Sequence, residues 1–589
     1  METRHEESDR FLLAMTILFG GAAFSLGLLI ASAPLPVLLD RFIPDDAFYY
    51  LLPAKNFALH GFSSFDGIHF TNGYQPLWFL LLTPIFWIVP SGDEAAVRVA
   101  LILQLLLAVA AAVLLFRILA RHFGGSNALI GGLVWLVTFH RILFTGLETA
   151  VQAFLYLLVF TIALRLPHTT GKGHRVLILL GTVAGLLFLA RTDAVFLLAA
   201  LVPAVFVGRA DSWRERLANL LYFGLPIAVL AGGYLLVNML TTGHLMPVSG
   251  AAKQFYSDVA RSAAGNPPVT TQLLWVTEWN WRFIFLGLVG PWFLLTASLF
   301  RGKLRTSLAP IRTVWPFYIG ALGSFVFYSL VFYAPYTQTI WYYGPHIFLT
   351  AFSIAAVGCA VDELLPRWGK TGLVPLLCVG ASFGWLVWPD VASIAPGPAI
   401  TTGAWTIISV GGTVLSTLFA PRVSAAAWKP LGAGVAFILS LLLSIQSLSA
   451  DLAGKPSNWN FNLYQGALWA KANLPPDATI WSGSAGILGY FSGHRVVNTD
   501  GLANDYEFVE QVLRVGKLLD YYRQWDYAID AFPIGAESWL SAAFREGCWV
   551  KLPDNVDRPG FPDGRWQRRL QVFKMNRNRD PAITCEVAS

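Results

Sequence analysis

Long apolar runs, broken by short polar connections, dominate the first 450 residues. Fourteen segments stand out, at about 11–33, 77–90, 99–117, 127–144, 149–166, 175–190, 194–208, 217–239, 282–300, 313–333, 343–361, 372–388, 401–420 and 430–449. A helix needs about 20 apolar residues to cross hydrocarbon. A backbone in lipid must satisfy its own hydrogen bonds, which favours helices throughout. Several runs are shorter than that, chiefly 77–90 and the pair flanking Arg191 and Asp193.

After residue 450 the pattern changes. Leu463 to Asn473 reads as an amphipathic helix, stopped by Leu474-Pro475-Pro476. Ala478–Ser482, Arg495–Asn498, Tyr527–Asp530 and Leu570–Phe573 read as strands, and Phe508 to Tyr522 as a helix. Strands alternating with helices predict a small, mostly parallel sheet. The chain therefore divides into a polytopic transmembrane part, 1–450, and a soluble α/β part, 451–589.

Composition supports this division. Charged residues are 13% and hydrophobic residues 55%, against about 25% charged in an average soluble protein. Mean hydropathy is +0.56. So few charges cannot cover a soluble protein of 589 residues,. The charge is also uneven: residues 451–589 hold 15 Lys or Arg and 16 Asp or Glu.

The net charge of +6 does not indicate a nucleic-acid partner, because the basic residues lie in short loops between apolar runs. Arg209, Arg214 and Arg216 form one cluster; Arg301, Lys303, Arg305 and Arg312 form another. Arg367 with Lys370, and Arg422 with Lys429, mark two more. The positive-inside rule makes all four cytoplasmic. Loops 241–281, 334–342 and 390–400 then lie outside, as do Pro34–Gln75 and the C-terminal part. An inside start and an outside end require an odd number of crossings, so one short segment does not fully cross and about thirteen helices do. Phe11–Ala33 is too long for a cleavable signal and reads as a retained helix. Cys359 and Cys378 sit in apolar segments; Cys548 and Cys585 could form one disulfide in an oxidising compartment.

Candidate chemistry falls on the outer side. Adjacent carboxylates at Asp45 and Asp46 repel, which raises one pKa and suits a general base or a cation ligand. With Pro44 they also make a good helix start, the blander reading. Tyr74 and Gln75 lie further along the same loop, in Gly73-Tyr74-Gln75-Pro76-Leu77-Trp78. Glu148 joins two apolar segments, either as a polar helix end or as a cavity residue. Arg191 and Asp193 interrupt an apolar run and either pair with each other or face a cavity. Lys253 could meet a phosphate as a point charge, or be simply solvated. His346 follows Trp341 and Tyr342, which read as interfacial anchors; it is either a site residue or a packed helix-end histidine. Gly483, Gly486 and Gly489 could bind an anion, or form tight turns packed on the membrane part. No Gly-x-Gly-x-x-Gly, P-loop, His-Glu-x-x-His or metal-spaced Cys/His set is present. An enzyme on the outer face would need an energised substrate that crosses the membrane, and a lipid-linked group meets that need.

Together these pieces resemble the GT-C glycosyltransferases, and within them the lipid-phospho-arabinofuranose-dependent transferases of mycobacterial type. Four stretches carry the resemblance. They are Asp45-Asp46-Ala47 with Gly73 to Trp78, Thr145-Gly146-Leu147-Glu148-Thr149, the Gly243…Pro247…Lys253 loop, and Leu474…Gly501. The resemblance implies a multi-pass inner-membrane enzyme with an extracytoplasmic C-terminal domain. It would move a sugar from a polyprenyl-phosphate donor, with inversion, to a glycan, lipid or protein acceptor of the cell envelope. It implies Asp45 as base with Asp46 positioning it or the acceptor, and Glu148, Lys253, Tyr74, Gln75 and His346 as substrate contacts. Some members use a divalent cation, which two carboxylates could hold. Members often carry Arg-Tyr where this chain has Trp341-Tyr342. The run Ala47-Phe48-Tyr49-Tyr50 is more aromatic than arabinosyl members usually show, so the sugar could be arabinofuranose or instead a hexose such as mannose. The competing readings are a lipid-linked sugar flippase and a non-catalytic envelope-assembly protein.

Overall fold

The computed structural model describes residues 2–89, 93–166, 173–207, 212–272, 308–332, 340–364, 459–517, 524–530, 549–551 and 571–575, with isolated positions elsewhere. The expected spans at 282–300, 372–388, 401–420 and 430–449 lie wholly or mostly outside these residues. So do the basic clusters at Arg301–Arg305, Arg367–Lys370 and Arg422–Lys429, and the cysteines Cys378, Cys548 and Cys585.

Helix α1 spans Glu2–Ala31. The stretch read as the first loop is itself largely helical. Pro34 precedes α2 (Leu35–Arg41), which begins at a proline-rich first turn; the fixed φ of proline suits such a start. A 3-10 turn at Asp45–Ala47 then leads into α3 (Phe48–His60). Gly61, at φ +69, closes α3 in the left-handed conformation that glycine supplies cheaply,.

Next come α4 (Pro76–Ile88), α5 (Asp93–Phe123), α6 (Gly125–Leu143), α7 (Thr149–Ala163) and α8 (Gly173–Ala190). Arg191 is extended, at φ −155, and a 3-10 turn at Thr192–Ala194 restarts the chain as α9 (Val195–Val207). The expected interruption therefore lies where its two charges are. Helices α10 (Trp213–Ile227) and α11 (Gly233–Thr242) are joined without a break by a π-helical turn at Ala228–Gly232. Then follow α12 (Val248–Ala263), α13 (Trp315–Val331) and α14 (Gly344–Leu364). Among the described residues, five helices are long and apolar enough to cross a membrane: Leu12–Ala31, Asp93–Phe123, Gly173–Ala190, Trp213–Thr242 and Trp341–Ala360. Four apolar helices are shorter: Pro76–Ile88, Thr149–Ala163, Thr192–Val207 and Trp315–Val331.

The C-terminal part starts with α15 (Trp459–Asn473), β1 (Thr479–Ser482), α16 (Gly486–Phe491) and β2 (Arg495–Asn498). A π-helical turn at Phe508–Leu513, β3 (Tyr527–Asp530), β4 (Trp549–Lys551) and β5 (Gln571–Met575) complete it. The sheet order is β2-β1-β3-β5-β4. β1 runs parallel to β2 and β3, but β5 is antiparallel to both β3 and β4. The sheet is thus mixed rather than mostly parallel. The reversal comes from β4 and β5, of which the three-residue β4 has no periodic signature in the sequence.

One apolar core joins the two parts. It runs from Phe19 in α1 through Phe48 in α3 to Ile487, Tyr490 and Ile529. Phe48 packs against Tyr490 and Phe491 with ring centroids at 5.1 and 5.4 Å. A second cluster sets Val248 and Ala252 of α12 against Trp481, Val497 and Val509. The apolar face of α12 therefore lies on the C-terminal sheet rather than on the bundle.

Candidate active site

The turn at Asp45–Ala47 sits where three elements meet. Below it is the Thr145–Glu148 turn, above it the N-terminus of α16, and beside it α12. Gly146, at φ +73, forms the tight point of its turn: its N–H donates to Gln104 (3.0 Å) and its carbonyl accepts from the Trp78 indole (2.9 Å). A Cβ at Gly146 would stand 2.8 Å from that of Ala47. That close approach puts Glu148 and the first-loop carboxylates on the same side of the bundle.

Asp45 does not cap the helix it precedes. Its two oxygens accept the N–H groups of Gly486 (3.0 Å) and Ile487 (2.7 Å) at the start of α16. The glycine-rich stretch thus takes a carboxyl group of the same protein and packs on the membrane part, the second of the two readings offered for it. Gly486 is required because a Cβ there would meet the Asp45 carbonyl at 2.2 Å. Asp45 is 1% exposed. Burial pushes its carboxyl up to about 7, even though the two N–H groups pull it down.

Asp46 is different, because part of its surface stays open. Burial raises its carboxyl; Lys253 pulls it back and Glu148 pushes it up again, leaving it above the usual range. Lys253 is also partly open and donates to the Tyr342 hydroxyl (2.7 Å). Burial would lower its ammonium, but Tyr342 and Asp46 outweigh that and hold it above its ordinary value.

Glu148 is 4% exposed and fully engaged. It accepts from Arg191 (2.6 Å) and from the Tyr50 hydroxyl (2.7 Å). Arg191 also pairs with Asp193 (3.0 Å), and Tyr328 bonds both of them. The expected Arg191–Asp193 pairing is therefore present, within a larger buried network. Gln75 accepts the Thr192 N–H (3.1 Å), tying the first loop to this network. Tyr74 turns away: it bonds Ser63 and stacks on Phe79. His346 is 1% exposed, and its Nε2 lies 3.1 Å from the Ala321 carbonyl, between α13 and α14. Asp45, Asp46, Glu148, Lys253 and Gln75 are thus brought together, while Tyr74 and His346 engage packing partners. A small apolar pocket, lined by Gln152, Tyr156 and Phe348 among others, opens one turn beyond Glu148. Among the described residues, no group of three or more His, Cys, Asp or Glu side chains could hold a metal ion.

Sequence reasoning missed Tyr49, Asn498 and Asp500. The Tyr49 hydroxyl receives N–H groups from Ala485 (3.2 Å) and Asn498 (3.1 Å), and donates to Asp500 (3.2 Å) or the Gly483 carbonyl (3.2 Å). Asn498 ends β2, and Asp500 follows it. The carboxyl ends of parallel strands are where open α/β sheets bind ligands, and that rule was the available signal.

Residues 457–572 match a family described as a domain of unknown function (DUF8728). No curated protein matches the sequence. Solved structures do match. ArnT from Cupriavidus metallidurans bound to undecaprenyl phosphate is 17% identical, with a TM-score of 0.54, over 95% of this chain and 97% of that one. Its apo state is also 17% identical, with a TM-score of 0.51 and the same coverage. At that identity the likeness is one of fold: a polytopic, mostly α-helical membrane architecture with a small sheet.

Proposed function

We propose that this chain is a membrane glycosyltransferase that takes its sugar from a polyprenyl-phosphate donor. The observation that carries this reading is that Asp46 and Lys253 act electrostatically on each other while both stay partly open. They are opposite charges at the junction of the first loop, α12 and the C-terminal module. The shared fold with ArnT, which was solved with undecaprenyl phosphate bound, supports the choice of lipid.

In this reading an acceptor hydroxyl attacks the anomeric carbon of the sugar. The bond from that carbon to the phosphate oxygen breaks, the configuration inverts, and the polyprenyl phosphate leaves with the electron pair. Asp46 takes the hydroxyl proton, and its raised pKa brings it closer to the operating pH of a general base. Lys253 offsets the charge that builds on the phosphate. Asp45 is a poor base, because both its oxygens already accept N–H groups and it has almost no exposed surface. The base role proposed from sequence for Asp45 therefore passes to Asp46, and Asp45 becomes the group that seats the C-terminal module. Glu148 braces Arg191.

The site faces the extracytoplasmic side of the inner membrane, as the loop charges imply. The sugar is a pentofuranose such as arabinofuranose or a hexose such as mannose, and the acceptor is a glycan, lipid or protein of the envelope.

The test is donor consumption by the purified chain across a panel of polyprenyl-phosphate pentoses and hexoses. Wild type should release polyprenyl phosphate from at least one donor. Asp46→Asn should slow that release by about 10²–10⁴, the usual contribution of a positioned base. Full rate in Asp46→Asn would remove Asp46 as the base. Movement of lipid-linked sugar between leaflets with no donor consumed would make the protein a flippase.

A further inference from the structure

The loop after β2 is fixed by the same elements that carry Asp46 and Lys253. Its Asp500 accepts the Tyr49 hydroxyl from α3. A Cβ on Gly73 would lie 1.9 Å from the Leu502 carbonyl, so the first loop runs directly against it. A Cβ on Gly501 would lie 3.3 Å from that of Ala252, the residue before Lys253. The two residues that follow Asp500 are thus pinned, Leu502 against the first loop and Gly501 against α12.

The three carboxyl groups of this region differ in access. Asp45 is closed, whereas Asp46 and Asp500 keep part of their surface open. They also differ in company. Asp46 feels the charge of Lys253, but the bonded partners of Asp500 are neutral: the Leu502 N–H (2.8 Å), Tyr49 and Asn498. The Tyr49 oxygen already receives two N–H groups, so its own proton is committed to Asp500 or to Gly483. Burial, with Asp46 and Asp45 adding to it, pushes the Asp500 carboxyl up to about 8, against the pull of Leu502 and Asn498. A carboxyl kept neutral can both donate and accept hydrogen bonds, and it leaves the negative charge to Asp46. Two carboxyls in contrasting surroundings commonly divide their roles in this way.

We propose that Asp500 is an acceptor-binding residue, holding the hydroxyl groups of a saccharide acceptor beside Asp46. The proposal rests on the transferase reading above and adds the side from which the acceptor is held. It also gives the C-terminal module a task, completing the acceptor site.

The experiment compares wild type and Asp500→Asn as purified full-length chains, with a panel of octyl mono- and disaccharide glycosides as acceptors. Asp500→Asn should raise the acceptor KM about tenfold, the worth of one lost or weakened hydrogen bond. Its Kd for undecaprenyl phosphate should stay at the wild-type value. An unchanged acceptor KM overturns the proposal. So does an equal weakening of undecaprenyl phosphate binding, which marks a merely structural role. A second measurement does not depend on turnover. Dicyclohexylcarbodiimide modifies protonated carboxyl groups, and mass spectrometry locates the adduct. Asp500 should be labelled in wild type and protected by the octyl glycosides; labelling that they leave unchanged overturns the proposal. A wild type that consumes no donor defeats the transferase reading, and the protection experiment still decides the role of Asp500.

Discussion

Asp45 shows how far one carboxylate's role can depend on distant sequence. Its partners, Gly486 and Ile487, lie more than 400 positions away, so local reading could offer only a helix start or a base. Glu148 and Arg191 were legible as unusual because charge at membrane depth is rare, but their mutual pairing, across 43 positions, was not. Burial makes the Asp45 carboxyl hold its proton to about pH 7 in the folded chain, against an ordinary value of 3.8, and Asp500 holds its own to about 8. Between those limits the folded form binds more protons than the unfolded form, so stability falls as pH rises. The thermal midpoint of the purified protein should therefore drop between pH 5 and 8. Asp45→Asn, which has no proton to lose, should flatten the lower part of that slope. An unchanged slope would mean that Asp45 ionises alike in both states.

At the scale of elements, the amphipathic and apolar periodicities located most of the described helices correctly. What they missed lay largely in stretches read as outer loops: α2 and α3 within the first loop, and the 16-residue α12 within 241–281, whose polar and small residues hide its apolar face. The π-helical turns and β4 were missed because they have fewer residues than a periodic signal needs. Close approach of α16 to the first loop depends on glycine, which gives a sharp contrast between sites. Gly486→Ala puts a methyl group into the Asp45 carbonyl, and neither backbone can yield easily. It should cost about 1–3 kcal/mol of stability, as overpacking does, and lower donor turnover with it. Gly250→Ala, within α12 and facing open space, should instead stabilise by about 0.5–1 kcal/mol through helix propensity,. Thermal unfolding of the two variants checks both signs, and equal effects would mean that the α16 contact is not tight.

For the whole molecule, the division expected at residue 450 rests on where charge becomes frequent along the sequence. It did not anticipate that one apolar core crosses that division. Composition reports solvent preference, whereas the shared core arises from pairings such as Phe48 with Tyr490. The two parts should therefore unfold together. Tryptophan fluorescence and thiol labelling of a cysteine placed in the C-terminal module should give coincident transitions. Two separated transitions would show that the module is stable by itself.

The π-helical turn at Ala228–Gly232 has a consequence for the face that α11 presents. One extra residue in a helical turn advances everything after it by roughly 100° around the axis. Asn238, downstream of that turn, accepts from the Asn72 side chain (3.2 Å) and donates to the Leu245 carbonyl (3.0 Å). Asn72 in turn caps the first N–H of α12, at Val248 (3.0 Å). Removing one residue from the turn would swing Asn238 out of this chain of amides, toward the greasy flank shared by Leu236, Val237 and Leu240. The orientation of the helix that carries Lys253 is thus set, at one remove, by a single supernumerary residue inside the membrane.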